Sequence, residues 1–338
     1  MIILGIESTC DETGIAVVRD GVEVITSEIS SSVEFQKKFG GVIPEIAARE
    51  QVKVIVPLLG EVLAKCPIAK VDAIAVSYGP GLIGSLVIGV ETAKAIALAY
   101  KKGLIAFNHL VGHIYANWLG QGTETKEQNL KLDKFPLIAL IVSGGHTDLV
   151  LMKDHCNFAL LGSTLDDAIG EAFDKVSKKL GLGYPGGPEV EKWASEFTGK
   201  TSFNLPRPMV GSGDYNFSFS GLKTAVATII DKNRLTDKLR REVSFAFQKA
   251  AIDVLVKKTL TAADKYGAQS IVVGGGVAAN KFLRQELNSA SGVNVFFPEK
   301  RFSVDNGAMI AAAAFFEKNF VDPLELTADS SIHFNKTF

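Results

Sequence analysis

The chain has 338 residues, with 36 Lys and Arg against 37 Asp and Glu, giving a formal net charge of −1. A hydrophobic share of 47% excludes a disordered chain, and the near-zero charge excludes a global pull toward polyanions, so any nucleic-acid contact must come from a local patch or a partner. The three cysteines, Cys10, Cys66 and Cys156, form no CxxC pair, which argues against a disulfide framework and a cysteine zinc site. The opening MIILGIESTCDE lacks a basic leader, and no apolar run reaches about 18 residues, so the expectation is a cytoplasmic protein with no membrane contact.

In chain order, residues 2–7 and 13–18 and the run VEVIT are apolar and β-branched, which predicts a three-strand antiparallel meander with a polar first turn. A charged helix is expected from Pro44 to about Leu63, then a strand over 73–77, the turn YGPGLIG, a helix to about Tyr100 and a strand over 104–108. A helix carrying His109 and His113 follows, and residues 121–134 read as a polar surface loop. The stretch IALIVSGGHTDLVLM (138–152) then repeats the strand–polar turn–strand layout of the N-terminus, which predicts two halves of similar topology. Helices are expected near 167–182 and 189–197, a long helical region over about 219–263, strands at 270–275 and 293–298, and a last helix at about 305–317. Strands alternating with helices define an α/β protein.

Two of only five histidines, His109 and His113, stand four residues apart, so on a helix they share one face. With Gly112 and Ala116 beside them they read as a roomy strip facing a cavity, suited to two metal ligands; the alternative is a polar surface helix. Asp305, just before the small-residue helix AMIAAAAFF, is either a helix cap or the third ligand. Two His and one carboxylate with open positions suit Fe(II), Zn(II) or Mn(II). The first turn, from Glu7 to Gly14, places the three carboxylates of Glu7, Asp11 and Glu12 and two hydroxyls between paired strands, for a cation or a phosphate, or is an ordinary acidic turn.

Ser143-Gly144-Gly145-His146 follows an apolar strand and suits either phosphate binding by backbone N–H groups or a tight hairpin needing positive φ. Gly274-Gly275-Gly276 through Asn280 fits the dinucleotide fingerprint, with Glu299 at the ribose-binding distance, so an NAD-dependent dehydrogenase competes. Too little chain follows for a complete dinucleotide domain. Asp166 and Glu171 read as caps of their own helix, whereas Asp174 lies too far in for capping. Lys238, Arg240, Arg241 and Lys249 cluster on one helix as a solvated face or a nucleic-acid contact.

Together IESTCDETG, FGGVIPEIAARE, SYGPGLIGSL, NHLVGHIYA, VSGGHT, GEAFDKV, GYPGGP, FSFSGLKTAV, VGGGVAAN and VDNGAMIA resemble, in this order, the tRNA N6-adenosine threonylcarbamoyltransferase family of bacterial type, from about residue 4 to 315. The resemblance implies an actin-like, sugar-kinase-like (ASKHA) fold of two ribonuclease-H-like domains around a central cleft. The expected domains are 1–108 with 303–330, and 109–302. It implies transfer of threonylcarbamoyl from its adenylate to the N6 amine of the adenosine beside the tRNA anticodon, releasing AMP. It places metal ligands on His109, His113 and Asp305, with Fe(2+) first and Zn(2+) or Mn(2+) as alternatives. Substrate-binding positions fall on Val142, Ser143, Gly144, Gly145, His146, Asp174, Gly187 and Asn280, and on Glu191 where relatives often carry aspartate. Gln51 stands where relatives commonly carry histidine. Implied partners are tRNA, threonylcarbamoyl-adenylate or ATP in the cleft, a paralogous actin-like protein of TsaB type and a small ATPase of TsaE type. A metallopeptidase is disfavoured, since Leu110 stands where HExxH has its glutamate. An actin-like ATP-binding scaffold without chemistry of its own stays a rival.

Overall fold

The computed structural model describes residues 1–120 and 132–334. These divide into two compact units, the first formed by 1–120, 132–134, 154–157 and 298–334, the second by 135–153 and 158–297. The histidine helix therefore belongs to the first unit, past the expected boundary at 108/109. Most of the predicted 121–134 loop lies outside the described residues.

In the first unit the β-branched runs form β1 (Ile2–Glu7), β2 (Glu12–Arg19) and β3 (Glu23–Ser31), an antiparallel meander as expected. β4 (Ala73–Gly79) pairs parallel to β1, β5 (Gly103–Asn108) pairs parallel to β4, and the short β11 (Phe320–Val321) closes the edge. Both faces of β1 and β4 are buried, Ile74 and Val76 lying on one face of β4 and Ala73 and Ala75 on the other, as in strands covered on two sides. Helix α1 (Val33–Gln36) and helix α2 (Pro44–Lys65) follow β3, with Pro44 in the first turn.

Helix α3 (Ile83–Tyr100) connects β4 to β5 and packs on β4 and α2. By length and composition it is apolar enough to cross a membrane, against the sequence expectation that no such stretch exists. Its apolarity has a local cause: a crossover between parallel strands must bury a face on the sheet, and Leu86, Val90, Ala93 and Ile96 do so.

The second unit repeats the plan. β6 (Leu137–Val142), β7 (Thr147–Asp154) and β8 (Asn157–Ser163) form the meander, β9 (Ser270–Gly274) pairs parallel to β6, and β10 (Asn294–Phe296) pairs parallel to β9. Counted within each unit, both sheets run 3-2-1-4-5, with β11 added in the first. β8 and β11 have weak patterns and were not expected. The single long helical region is two helices, α7 (Ser220–Lys232) and α8 (Asp237–Tyr266), because Thr236 caps the second through Leu239 N. The rest of this unit is α5 (Ile169–Leu180), α6 (Gly186–Ser195) and α9 (Lys281–Ala290).

The last helix, α10 (Gly307–Phe316), sits against β1 and β2 at backbone contact. A Cβ on Gly5 would collide with the Gly307 carbonyl, and one on Gly14 would come within 2.7 Å of the Gly307 amide. This approach needs glycine on both sides, and the run Ala311–Ala314 keeps the helix thin. It also sets where Asp305, two residues before the helix, must lie.

Candidate metal centre and phosphate turns

Helix α4 (His109–Tyr115) starts where β5 ends, capped by Asn108, whose side chain accepts from Leu110 N. It is buried on every side, which removes the surface-helix reading: His109 is 6% exposed and His113 0%. The expectation of a roomy strip is also wrong at Gly112. A Cβ there would meet Ile310 Cδ1 at 2.8 Å and Met309 Cγ at 3.2 Å, so glycine admits the last helix rather than leaving a gap. The same packing carries Asp305 to the histidines. Its carboxylate lies 3.2 Å from His113 Nε2 and 3.7 Å from His109 Nε2.

Capping does not explain Asp305, because Asn306 caps α10 by accepting from Met309 N. One ligand atom from each of His109, His113 and Asp305 lies within 4.8 Å of the other two, and no other such group occurs among the described residues. His113 is fully buried, yet neither ring nitrogen makes an aligned hydrogen bond, although Nε2 is close to Asp305. A buried imidazole whose nitrogens make no hydrogen bond costs stability. A cation shared with Asp305 removes that cost, so the residues fit a metal.

Glu7, at the end of β1 and fully buried, faces His109 Nδ1 at 3.0 Å and accepts from Thr9 N at 2.7 Å. Thr9 Oγ1 lies 3.3 Å from His109 Nδ1 and 3.5 Å from Asp305. Sequence reading had Glu7 only as part of an acidic turn. Its role is to fix the ring, as carboxylates behind metal-binding histidines commonly do. Burial alone would depress the His109 pKa, but Glu7 and Asp305 outweigh it and push it up to about 9. Burial, then Asp11 and Asp305, hold the Glu12 carboxyl well above the usual carboxylate range.

In the second unit, Val142 ends β6 and Ser143 to His146 form the hairpin turn, closed by Ser143 N to His146 O and by His146 N to Ser143 Oγ. Neither Gly144 nor Gly145 has a left-handed φ, and an added Cβ at either would meet nothing within 4 Å. The hairpin therefore does not demand glycine, and the bare backbone faces open space, as a phosphate cradle would. Gly275 does adopt φ 91°, with its Cα side against the Val142 carbonyl, so the two glycine turns pack together at the ends of β6 and β9. That is where open α/β sheets bind ligands.

Gly187 also faces open space. Asp174 accepts from Gly186 N at 2.6 Å, and Glu191 accepts from Lys281 N at 2.7 Å, which brings α6 to the Asn280 turn. Asn280 caps α9 through Leu283 N and donates to Gln248 Oε1. The dinucleotide reading fails on this geometry: Gly276–Ala279 is a 3-10 turn, the helix waits until Lys281, and Glu299 is paired with Arg301.

One further expectation is corrected, and one open alternative is narrowed. Asp166 does not cap its own helix, which begins at Ile169; it accepts from Phe219 N and Ser220 N at the start of α7. Arg240, Arg241 and Lys249 are ion-paired with Asp237, Glu196 and Asp253, as a solvated face would be.

Two sheets of one topology, each with its turn at the same strand ends, define the actin-like ASKHA class of α/β proteins. Solved structures agree on the fold. HypF from T. kodakarensis superposes with a TM-score of 0.61 at 14% identity, over 93% of this chain and 47% of that one. Component A of the Acidaminococcus fermentans (R)-2-hydroxyglutaryl-CoA dehydratase gives 0.53 at 14% identity, over 94% and 98%. The family model for TsaD, tRNA N6-adenosine threonylcarbamoyltransferase, matches residues 23–312. Proteins of that description from Moorella thermoacetica and Thermomicrobium roseum are 47% and 46% identical, over 98% and 94% of this chain and 97% and 92% of theirs. The chain belongs to the tRNA N6-adenosine threonylcarbamoyltransferase family, transferases that modify tRNA.

Proposed function

We propose that His109, His113 and Asp305 bind one divalent ion, Fe(2+) first and Zn(2+) or Mn(2+) as alternatives, and that the chain uses it in transferring threonylcarbamoyl from its adenylate to adenosine N6 in tRNA. The observation that carries this is the fully buried His113 ring, whose nitrogens make no aligned hydrogen bond, set with His109 and Asp305 so that one ligand atom of each lies within 4.8 Å of the others. When bound, the ion supplies Lewis acidity toward the acyl carbonyl. Glu7 holds Nδ1 of His109, which leaves Nε2 directed to the Asp305 side. The backbone of Val142 to His146 and the turn before Asn280 take the adenylate phosphate and ribose, with Gly187, Asp174 and Glu191 beside them; the open surroundings of Gly144, Gly145 and Gly187 support this. An adenine amine is a weak nucleophile, so the leaving AMP must have its growing charge neutralised by such donors.

We further propose the cytoplasm as the compartment, and TsaB-type and TsaE-type proteins as helpers in tRNA binding; the near-neutral charge supports the need for help. The domain boundaries at 108/109 and 302/303 stay a proposal beside the contact-based units. The test mixes the protein, tRNA, threonylcarbamoyl-adenylate and both helpers, and reads threonylcarbamoyladenosine by nucleoside mass spectrometry. Product is expected only with adenylate and tRNA present. No product under any combination, with metal bound, would overturn the assignment.

A further inference from the structure

Beyond the metal residues, the first turn leads into a cavity of about 360 Å³ within the first unit. Asp11, Thr13, Phe35, Lys38, Glu50 and Gln51 are among its lining residues. Two polar side chains here are buried and unspent. Gln51 donates its Nε2 to the carbonyls of Ser8, Cys10 and Glu12 at 3.4, 3.0 and 3.0 Å, which leaves Oε1 with no partner. Thr13 Oγ1 has none either, and both residues are 1% exposed. Buried polar atoms in such a place call for a ligand or water to satisfy them.

We infer that this cavity receives the target adenine of the tRNA, a reading that rests on the family assignment and names the substrate's subsite. An exocyclic amine carries two N–H donors, and Gln51 Oε1 and the Asp11 carboxylate are acceptors that suit them. Phe35, 43% exposed, gives a ring on which a base can stack, and Lys38 Nζ lies 5.1 Å from that ring's centroid, where a backbone phosphate would follow. Three carboxylates, those of Asp11, Glu34 and Glu50, against one lysine disfavour a free polyphosphate. They do not converge as a cation site either, since the only such group among the described residues is the histidine one.

Location supports the same ligand. Asp11 is two residues from Thr9, whose hydroxyl contacts His109 and Asp305, so their Cα atoms are at most about 7.6 Å apart. An amine held by Asp11 therefore lies near the proposed acyl-activating ion. The base must leave its stack to enter, as it does in enzymes that act on a base.

The test measures binding of an anticodon stem-loop carrying adenosine or inosine at the target position, with the assembled enzyme. Inosine lacks the exocyclic amine. Wild type is expected to prefer adenosine at least tenfold, and Gln51→Leu to lose that preference. Phe35→Ala, at an exposed position where folding is not at stake, is expected to weaken both loops about tenfold and to raise the KM for tRNA while leaving adenylate binding unchanged. Equal binding of the two loops by wild type, or an unaffected Phe35→Ala, overturns the inference. Competition by free threonine but not by the adenosine loop also overturns it, in favour of an amino-acid pocket. The preference is read from binding alone, so it stands or falls separately from whether transfer is observed.

Discussion

Glu7→Gln isolates what the carboxylate behind His109 does. The substitution keeps the shape and can keep the bonds to His109 Nδ1 and Thr9 N, now 3.0 and 2.7 Å, but it removes the charge. Two effects then oppose each other. Losing the carboxylate lowers ligand basicity and loosens the ring, which typically costs about 10- to 100-fold in metal affinity. Losing it also removes the chief cause of the raised His109 pKa, about 9, and lets burial pull the value down. In the wild type at pH 7, a proton must leave a ring two pH units below its pKa, a penalty of about 100-fold that the variant escapes. Wild-type affinity should therefore climb about tenfold per pH unit from pH 7 to 9, while the variant stays nearly flat. The two should be close at pH 7 and differ about 10- to 100-fold at pH 9. Chelator-competition titrations with Zn(II) or Co(II) across this range read it directly. Parallel slopes for the two proteins would refute the reasoning.

Other outcomes follow from the same structure. Metal-free protein should be more stable at pH 6 than at pH 9.5: the raised His109 pKa gives stability that is full below its unfolded value of 6.5 and is lost as pH rises through about 9, a swing of at most about 3 kcal/mol in denaturant midpoints. Gly112→Ala should cost about 1–3 kcal/mol by thermal unfolding, because its methyl would press on Ile310 and Met309; an unchanged Tm would place the last helix elsewhere. Gly144→Ala should leave Tm unchanged and weaken adenylate binding; a lower Tm would mean the turn needs glycine for itself. Asp166→Ala should cost about 1 kcal/mol through the start of the Ser220–Lys232 helix, visible as faster amide exchange at Phe219 and Ser220.

The fold was legible because local pattern and topology agree: apolar β-branched runs gave the strands, and the repeated strand–turn–strand layout gave the two units. What stayed hidden depends on distant packing. Gly112 looks like empty space in sequence and is a contact with a helix some 200 residues later. Asp166 looks like a cap for the helix beside it and serves one that begins at Ser220. Of the site, the histidine pair and Asp305 were visible through spacing and resemblance. Glu7 was not singled out, since a carboxylate at a strand end carries no sign of the ring it will orient. Gln51 was noted only as a departure from relatives. Its three bonds to the first turn and its spare oxygen appear only in three dimensions.

The central claim is that His109, His113 and Asp305 hold an ion on which transfer depends. Its most direct test is the metal content of purified His113→Ala beside wild type, with threonylcarbamoyladenosine formation measured on the same samples. The account predicts one divalent ion per chain and product for wild type, and neither for the variant, with unfolding curves showing both proteins folded. A folded His113→Ala protein with full metal occupancy and undiminished product would contradict it.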